Sequence, residues 1–184
     1  MNSDCLENFL KRKKEVKKSF AEKLSFSNKK PLLGIILDKE LSSEDELKLK
    51  HILEGTMSLN VQVLILADTN LDVISFAHTI IIPYSAASRK HVLEACDMAL
   101  CFGFNDVEEM LLHGTIPISG ARSEVEDYNP NKETGNGFIC KGSNHWAVFA
   151  ALVRALETFK FPYDWNHIVR QGRQMALVSV KSVA

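Results

Sequence analysis

The stretch Leu32-Leu33-Gly34-Ile35-Ile36-Leu37 carries no polar side chain and stops abruptly at the charged turn Asp38-Lys39-Glu40. A strand with one wet face alternates apolar and polar residues, whereas a short continuous apolar run fits a strand covered on both faces. Val61-Gln62-Val63-Leu64-Ile65-Leu66 and His78-Thr79-Ile80-Ile81-Ile82, closed by Pro83, read the same way. Shorter pieces follow at Met98-Ala99-Leu100-Cys101, Thr115-Ile116-Pro117-Ile118 and Phe138-Ile139-Cys140. Helical patterns separate them. Ser42 or Ser43 is placed to cap the first, with Glu46 at capping-box distance from Ser43, and Leu47, Leu49, Ile52 and Leu53 form its apolar face. Ser85 to Ala95, Asp106 to His113, Asn144 to Phe159 and Pro162 to Leu177 are the others. Strands alternating with helices need crossover connections, so the fold class is α/β with a doubly wound, mostly parallel sheet.

Upstream, Phe9, Leu10, Val16, Phe20 and Leu24 recur at near-helical spacing among Lys11-Arg12-Lys13-Lys14 and Lys17-Lys18. The lysines are expected on the solvated face of an N-terminal helix within residues 1–27, and residues 162–184 are expected to finish the chain as a helix. A chain of 184 residues suits one domain, 1–184. Its 46% hydrophobic and 24% charged residues are those of a globular chain. A net charge of −1 gives no general attraction to nucleic acid. No apolar run approaches the roughly 20 residues that cross a bilayer, and Met1-Asn2-Ser3-Asp4-Cys5 does not begin like a signal peptide. A cytoplasmic location without membrane contact is the expectation. Cys5, Cys96, Cys101 and Cys140 lack C-x-x-C or zinc-ligand spacing and read as small buried thiols, so no metal is expected.

In a doubly wound sheet, ligands bind beyond the carboxyl ends of the strands. Leu37 to Ser43, Ala67 to Asn70, Tyr84 to Ala86, Phe102 to Glu109 and Ser119 to Arg122 are therefore the segments to inspect. A dinucleotide fingerprint is absent, since Gly34 lies inside its strand and Asp38-Lys39-Glu40 follows; no Walker lysine motif exists either. Residues 119–136, rich in polar side chains with Gly120, Pro130 and Gly135, read as a surface loop, its run Glu124-Val125-Glu126-Asp127 being solvated. His113 suits a helix C-terminus, and His145-Trp146 would anchor the next helix on the sheet. Two histidine–aspartate pairings, His91 with Asp97 and His78 with Asp68, lack a nucleophile in an elbow motif.

Ala95-Cys96-Asp97-Met98-Ala99-Leu100, Gly114-Thr115-Ile116-Pro117-Ile118 and Gly135-Asn136-Gly137-Phe138 resemble, in order and spacing, the C-terminal domain of glycogen and starch synthases. Pro31 to Leu37, Ala147 to Phe159 and Trp165 to Gly172 extend the likeness over most of the chain. The resemblance implies a Rossmann-like half of a GT-B glycosyltransferase, whose active site lies between two such domains. It also implies an ADP- or UDP-linked glucose as donor, with no metal or other cofactor.

The family's donor-binding residues transfer poorly. Its arginine after the first strand falls near Asp38 and its lysine near Ser43, leaving Lys39 as the adjacent cation for a diphosphate. The F-E-P-C-G segment with its glutamate has no counterpart in Cys101-Phe102-Gly103-Phe104-Asn105-Asp106. Glu109 stands where related enzymes hold the ribose. The phosphate-cradling T-G-G turn falls in Ser119-Gly120-Ala121-Arg122-Ser123, where Gly120 and Arg122 remain. With Tyr84 beyond the third strand, Lys39, Tyr84, Glu109, Gly120 and Arg122 are the candidate donor-nucleotide residues, and no catalytic residue is assigned. The expected function is a glycosyltransferase-like domain inactive by itself. The alternatives are one chain of a split transferase whose acceptor domain is separate, and an interaction module whose cleft is filled by Phe102 and Phe104.

Overall fold

A computed structural model describes residues 3–67, 78–101 and 106–183. Asp68 to Asn70 and Phe102 to Asn105, singled out above, lie outside the described residues. Among the described residues, no helix is long and apolar enough to cross a membrane.

The elements run α1 (Ser3–Lys23), β1 (Leu32–Leu37), α2 (Ser43–Thr56), β2 (Gln62–Ala67), β3 (Thr79–Pro83), α3 (Ala86–Ala95), β4 (Met98–Leu100), α4 (Val107–Leu112), β5 (Ile116–Ser119), β6 (Phe138–Ile139), α5 (His145–Phe159) and α6 (Pro162–Val183). They form a 6-stranded sheet in the order β3-β2-β1-β4-β5-β6. Every pairing is parallel.

β1 lies at the centre and is buried at all positions. Its alternate side chains serve different layers. Leu33, Ile35 and Leu37 join Val63 and Ile65 of β2 under α2, α5 and the start of α6. Leu32 and Ile36 join Leu64 and Leu66 under α3 and α4. The register pairs Leu33 with Val63 and Ile35 with Ile65, so neighbouring strands present matching side chains to the same layer. Gly34 leaves room for the Cys96 side chain at the end of α3, because a Cβ there would stand 3.0 Å from the Cys96 Sγ.

Local signals mostly decide the helix ends. Ser85 and Ser88 form a reciprocal capping box at α3. At α2 the cap is Ser42, whose Oγ accepts from the Asp45 N–H; the box expected between Ser43 and Glu46 does not form. The hydroxyl of Ser42 also donates to Asp45, which competes directly with the more distant glutamate.

The N-terminal lysines depart from expectation. Lys13 and Lys17 do not belong to the solvated face. Lys17 is 8% exposed, and its ammonium meets Asp97 Oδ2 at 2.6 Å and donates to the Lys30 carbonyl at 2.8 Å. The same Asp97 oxygen accepts from the Leu32 N–H at 2.8 Å. Lys13 reaches past Lys17 to the carbonyls of Cys96 at 2.8 Å and His113 at 2.9 Å, at the C-terminal ends of α3 and α4. Those carbonyls have no intrahelical partner and carry the negative end of the helix dipole, which is what draws a cation inward.

Residues 119–136 depart in part: Gly120, Ala121, Ser123, Glu126 and residues 130–133 are exposed, as a surface loop should be, but other side chains of the segment pack inward. Val125, Tyr128 and Asn136 are buried at 5%, 6% and 3% exposure. The Tyr128 hydroxyl donates to Asp164 at 2.9 Å, and the Gly135 N–H donates to Gln171 at 3.0 Å. Asp127 is clasped by Arg154 through two bonds of 3.1 and 3.0 Å and accepts from the Ile139 N–H, so it is not a solvated loop acid.

Removing the Lys17 ammonium leaves Asp97 charged and buried. Lys17→Met is expected to lose about 3–5 kcal/mol in urea unfolding, and Asp97→Asn added to it recovers part of that loss. Burial lowers the Lys13 amine from its ordinary 10.5 to about 8, with Asp97 opposing the shift. Between those values the unfolded chain holds a proton that the folded chain has released. The contribution of Lys13 to stability therefore rises with pH across that window. The stability gap between the protein and Lys13→Met, measured by urea unfolding from pH 8 to 10, should widen.

Candidate functional site

A parallel sheet brings the carboxyl ends of its strands to one edge. β1 has β2 on one side and β4 on the other, so strand order reverses between β1 and β4. The helices that follow leave on opposite faces: α2 packs into one layer, while Met110 of α4 packs into the other. Their divergence opens the sheet edge at this point.

A cleft of about 330 Å³ lies there. Asp38, Lys39 and Glu40 beyond β1 form one wall, continued by Ser42, Asp45 and Lys48 from the start of α2. Leu100, Cys101, Ile118, Ser119 and Gly120 form the floor and far side, and Cys140, Gly142 and Ser143 close it beyond β6. Of the candidate residues, the structure brings Lys39 and Gly120 together here. Tyr84 lies beyond β3, half-buried against the α3 layer, with its N–H bonded to the Ala67 carbonyl. Glu109 sits at the first turn of α4, where Asp106 caps its N–H and Arg89 of α3 holds its carboxylate. Burial raises the Glu109 pKa, the neighbouring Asp106 adds to this, and Arg89 opposes it. Arg122 is not part of the cleft wall, though its charge reaches Cys101.

The charge of the cleft is mixed. Asp38, Glu40 and Asp45 face Lys39 and Lys48. Lys48 is committed to Glu44 at 2.8 Å and Asp45 at 3.5 Å, and the Glu44 bond raises its pKa. Lys39 is exposed and has no carboxylate partner among the described residues. It is the cation that an incoming anion would meet.

The cleft also holds sulfur. Burial pushes the Cys101 thiol up to about 12, against the pull of Arg122, and the Cys140 thiol up to about 11, against Arg154. Both stay protonated at neutral pH, which removes them as nucleophiles. Cys96 is buried as expected, but Cys5 is exposed. Among the described residues, no group of His, Cys, Asp or Glu could hold a metal ion.

The other side chains weighed as chemistry are structural here. Asp97 is taken by Lys17 and so is not available to His91. His78 Nε2 lies 2.9 Å from the Thr56 hydroxyl. His113 caps α4, 4.0 Å from Glu94, and burial lowers its pKa. The His145 ring meets His51 at 4.6 Å, tilted by 43°, while Trp146 is 68% exposed and does not anchor α5 on the sheet. Sequence reasoning missed Lys48, Gly142 and Ser143. The rule that points beyond strand ends would have reached the last two had it been applied to β6.

The cysteine environments give a direct check. An aromatic disulfide reagent at pH 8 should modify one thiol per chain rapidly, Cys5. Cys101, Cys140 and Cys96 should react only after denaturation, because their thiolate fraction is negligible until the pH nears their raised pKa values.

No protein-family model matches the chain. Over 76 residues the chain is 34% identical to the glycogen synthase of Fervidobacterium nodosum, a stretch making up 39% of this chain and 16% of that enzyme. Its fold is similar to the catalytic domain of starch synthase IV from Arabidopsis thaliana, solved with ADP and acarbose. The TM-score is 0.68 at 19% identity, over 88% of this chain and 38% of that one. The Anabaena protein HepE, solved with UDP-glucose, is similar at a TM-score of 0.65 and 14% identity, over 88% of this chain and 48% of that one. The chain thus has a glycogen/starch-synthase-like glycosyltransferase fold and spans less than half the length of these solved structures.

Proposed function

We propose that this chain is a sugar-nucleotide-side half of a glycosyltransferase fold, which binds a nucleoside diphosphate or its glucose conjugate and transfers no sugar by itself. One observation carries this reading: a cleft of about 330 Å³ at the strand-order reversal, lined by Gly120 and by Lys39, a cation without a carboxylate partner among the described residues. That volume is within the size range of small-ligand sites. The known structures of this fold with ADP or UDP-glucose support the choice of ligand class.

The same wall explains why transfer is absent from the proposal. A leaving diphosphate needs fixed positive charge where its own charge grows. Here Asp38 and Glu40 flank Lys39, and Lys48 is already neutralised by Glu44 and Asp45. Transfer further needs an acceptor held in a closed, dry cleft, and this cleft is open. In the proposal Lys39 contacts phosphate, and Gly120, with open space where a side chain would stand, leaves its backbone accessible to the ligand. Tyr84, Glu109 and Arg122 are assigned no contact.

A second reading, a transferase completed by a separate acceptor-domain chain, is favoured by Trp146. This large apolar side chain stands 68% exposed in the first turn of α5, close to Ser143 on the cleft wall. Such a residue is an anchor that a covering partner would bury.

Thermal-shift titration with ADP, UDP and their glucose conjugates tests the main reading. Saturation to one hundred times the dissociation constant should add about 2.7 kcal/mol of stability. Lys39→Ala should weaken binding about tenfold, the loss of one charge-assisted hydrogen bond. Unchanged melting with every nucleotide at millimolar concentration rules the binding out. Incorporation of labelled glucose into glucan should be absent for the chain alone. Its appearance for the chain alone refutes the inactive half, and its appearance only with an added acceptor domain selects the second reading.

A further inference from the structure

At the opposite edge of the sheet, where the strands begin, a cavity of about 380 Å³ opens between α1, the end of α5 and the start of α6. Its walls are Leu10, Phe159, Trp165 and Val169. Trp165 is 7% exposed and Val169 2%, and the Phe159 ring meets Trp165 edge-on at 5.1 Å. Rigid aromatic walls of this kind hold a flat or apolar body.

The rim has the opposite character. Lys14, Lys18 and Lys29 are exposed around the mouth, and none has a carboxylate partner among the described residues. The carboxylate lining the cavity is Asp97, already neutralised by Lys17 and bonded to the Leu32 N–H. Lys13 lies beside it, occupied by the helix-end carbonyls. Thus two lysines are spent on the fold and three are left facing solvent over an apolar hollow. Like charges gathered without counter-charges repel one another, and an anion at the mouth relieves that repulsion.

We propose that this cavity is a binding site for a small amphipathic anion, with an aromatic or acyl body against Trp165 and Phe159 and its carboxylate, sulfonate or phosphate group among Lys14, Lys18 and Lys29. The site is separate from the cleft, since Lys29 precedes β1 and Asp97 precedes β4, whereas the cleft lies beyond their other ends. It does not depend on whether a nucleotide binds there. Apolar burial supplies affinity, and the lysine rim selects charged over neutral ligands of the same shape.

Anilinonaphthalene sulfonate and phenylnaphthylamine, which share their rings and differ in the sulfonate, are suitable probes. The full chain carrying Trp146→Phe keeps Trp165 as its single tryptophan, so its indole N–H resonance reports on the cavity alone. The sulfonate should shift that resonance in a saturable titration, while the neutral ring compound binds at least about tenfold more weakly. Replacing Lys14, Lys18 and Lys29 together by Gln should cost about tenfold in sulfonate affinity, as expected for three exposed charges. Raising ionic strength should weaken the sulfonate and leave the neutral probe unchanged. Because the replaced side chains are exposed and Lys13 and Lys17 stay in place, urea unfolding of the triple variant should match the parent. Equal affinity for both probes, indifference to the triple substitution, or dye binding that leaves the Trp165 resonance still would overturn the proposal. So would absence of binding at millimolar probe.

Discussion

The buried contact between Lys17 and Asp97 is the constraint on which the arrangement turns. Asp97 precedes β4, its carboxylate holds the first N–H of β1, and Lys17 brings α1 down onto both. A lone carboxylate here would be intolerable, and so would a lone ammonium. Together, with the Lys30 carbonyl and the Leu32 N–H filling their remaining bonds, they fix where the two central strands start. Because the strands are parallel, fixing their starts also fixes where β1 and β4 end, and hence where the cleft opens. The ion pair thus positions a site at the far edge of the sheet without touching it.

Much of this was legible in the residues, and the failures have physical causes. The run Leu32 to Leu37 identified a strand covered on both faces because burial on two sides leaves no room for alternation. The reversal of strand order cannot be read from any one strand, yet the rule that ligands lie beyond strand ends still found Lys39 and Gly120. Gly142 and Ser143 escaped although Phe138-Ile139-Cys140 reads as a strand, because the segment beyond that short edge strand was not inspected as a strand exit. Lys13 and Lys17 escaped for another reason. A lysine stem packs along apolar surface as readily as it extends into water, and the carboxylate that claims Lys17 lies 80 residues away. The polar composition of residues 119–136 hid its packed side chains in the same way, since Tyr128 and Asp127 bond to Asp164 and Arg154 of the last two helices, while Asn136 accepts from the segment's own Glu126 N–H.

The motifs that carry the resemblance to glycogen and starch synthases have scaffold tasks in this structure. Gly114 turns α4 into β5 at φ 67°, and a Cβ there would stand 2.9 Å from the Phe9 ring. Thr115 places its hydroxyl 2.9 Å from the Cys96 carbonyl, beside the Lys13 ammonium. Gly135, at φ 108°, lets the backbone of Tyr128 pass where a Cβ would come within 2.6 Å. Gly137 likewise admits Pro117 and Val125. These constraints come from close packing and apply whatever the cleft does. A chain can therefore keep the signature of its fold whatever side chains line its cleft.

The last helix has a consequence for how the protein comes into being. α6 begins in one layer, where Trp165, Ile168 and Val169 meet the central strands, and continues to Ala176, packed with Val107 and Leu111 of α4. Midway, Gly172 permits an approach to Leu111 that a methyl group would block at 2.5 Å. The helix is a clasp across two sides of the sheet, and it is synthesised after every strand it covers. Until it has left the ribosome, the nascent chain holds two incompletely covered greasy faces, so cotranslational folding can assemble the strands but cannot seal them.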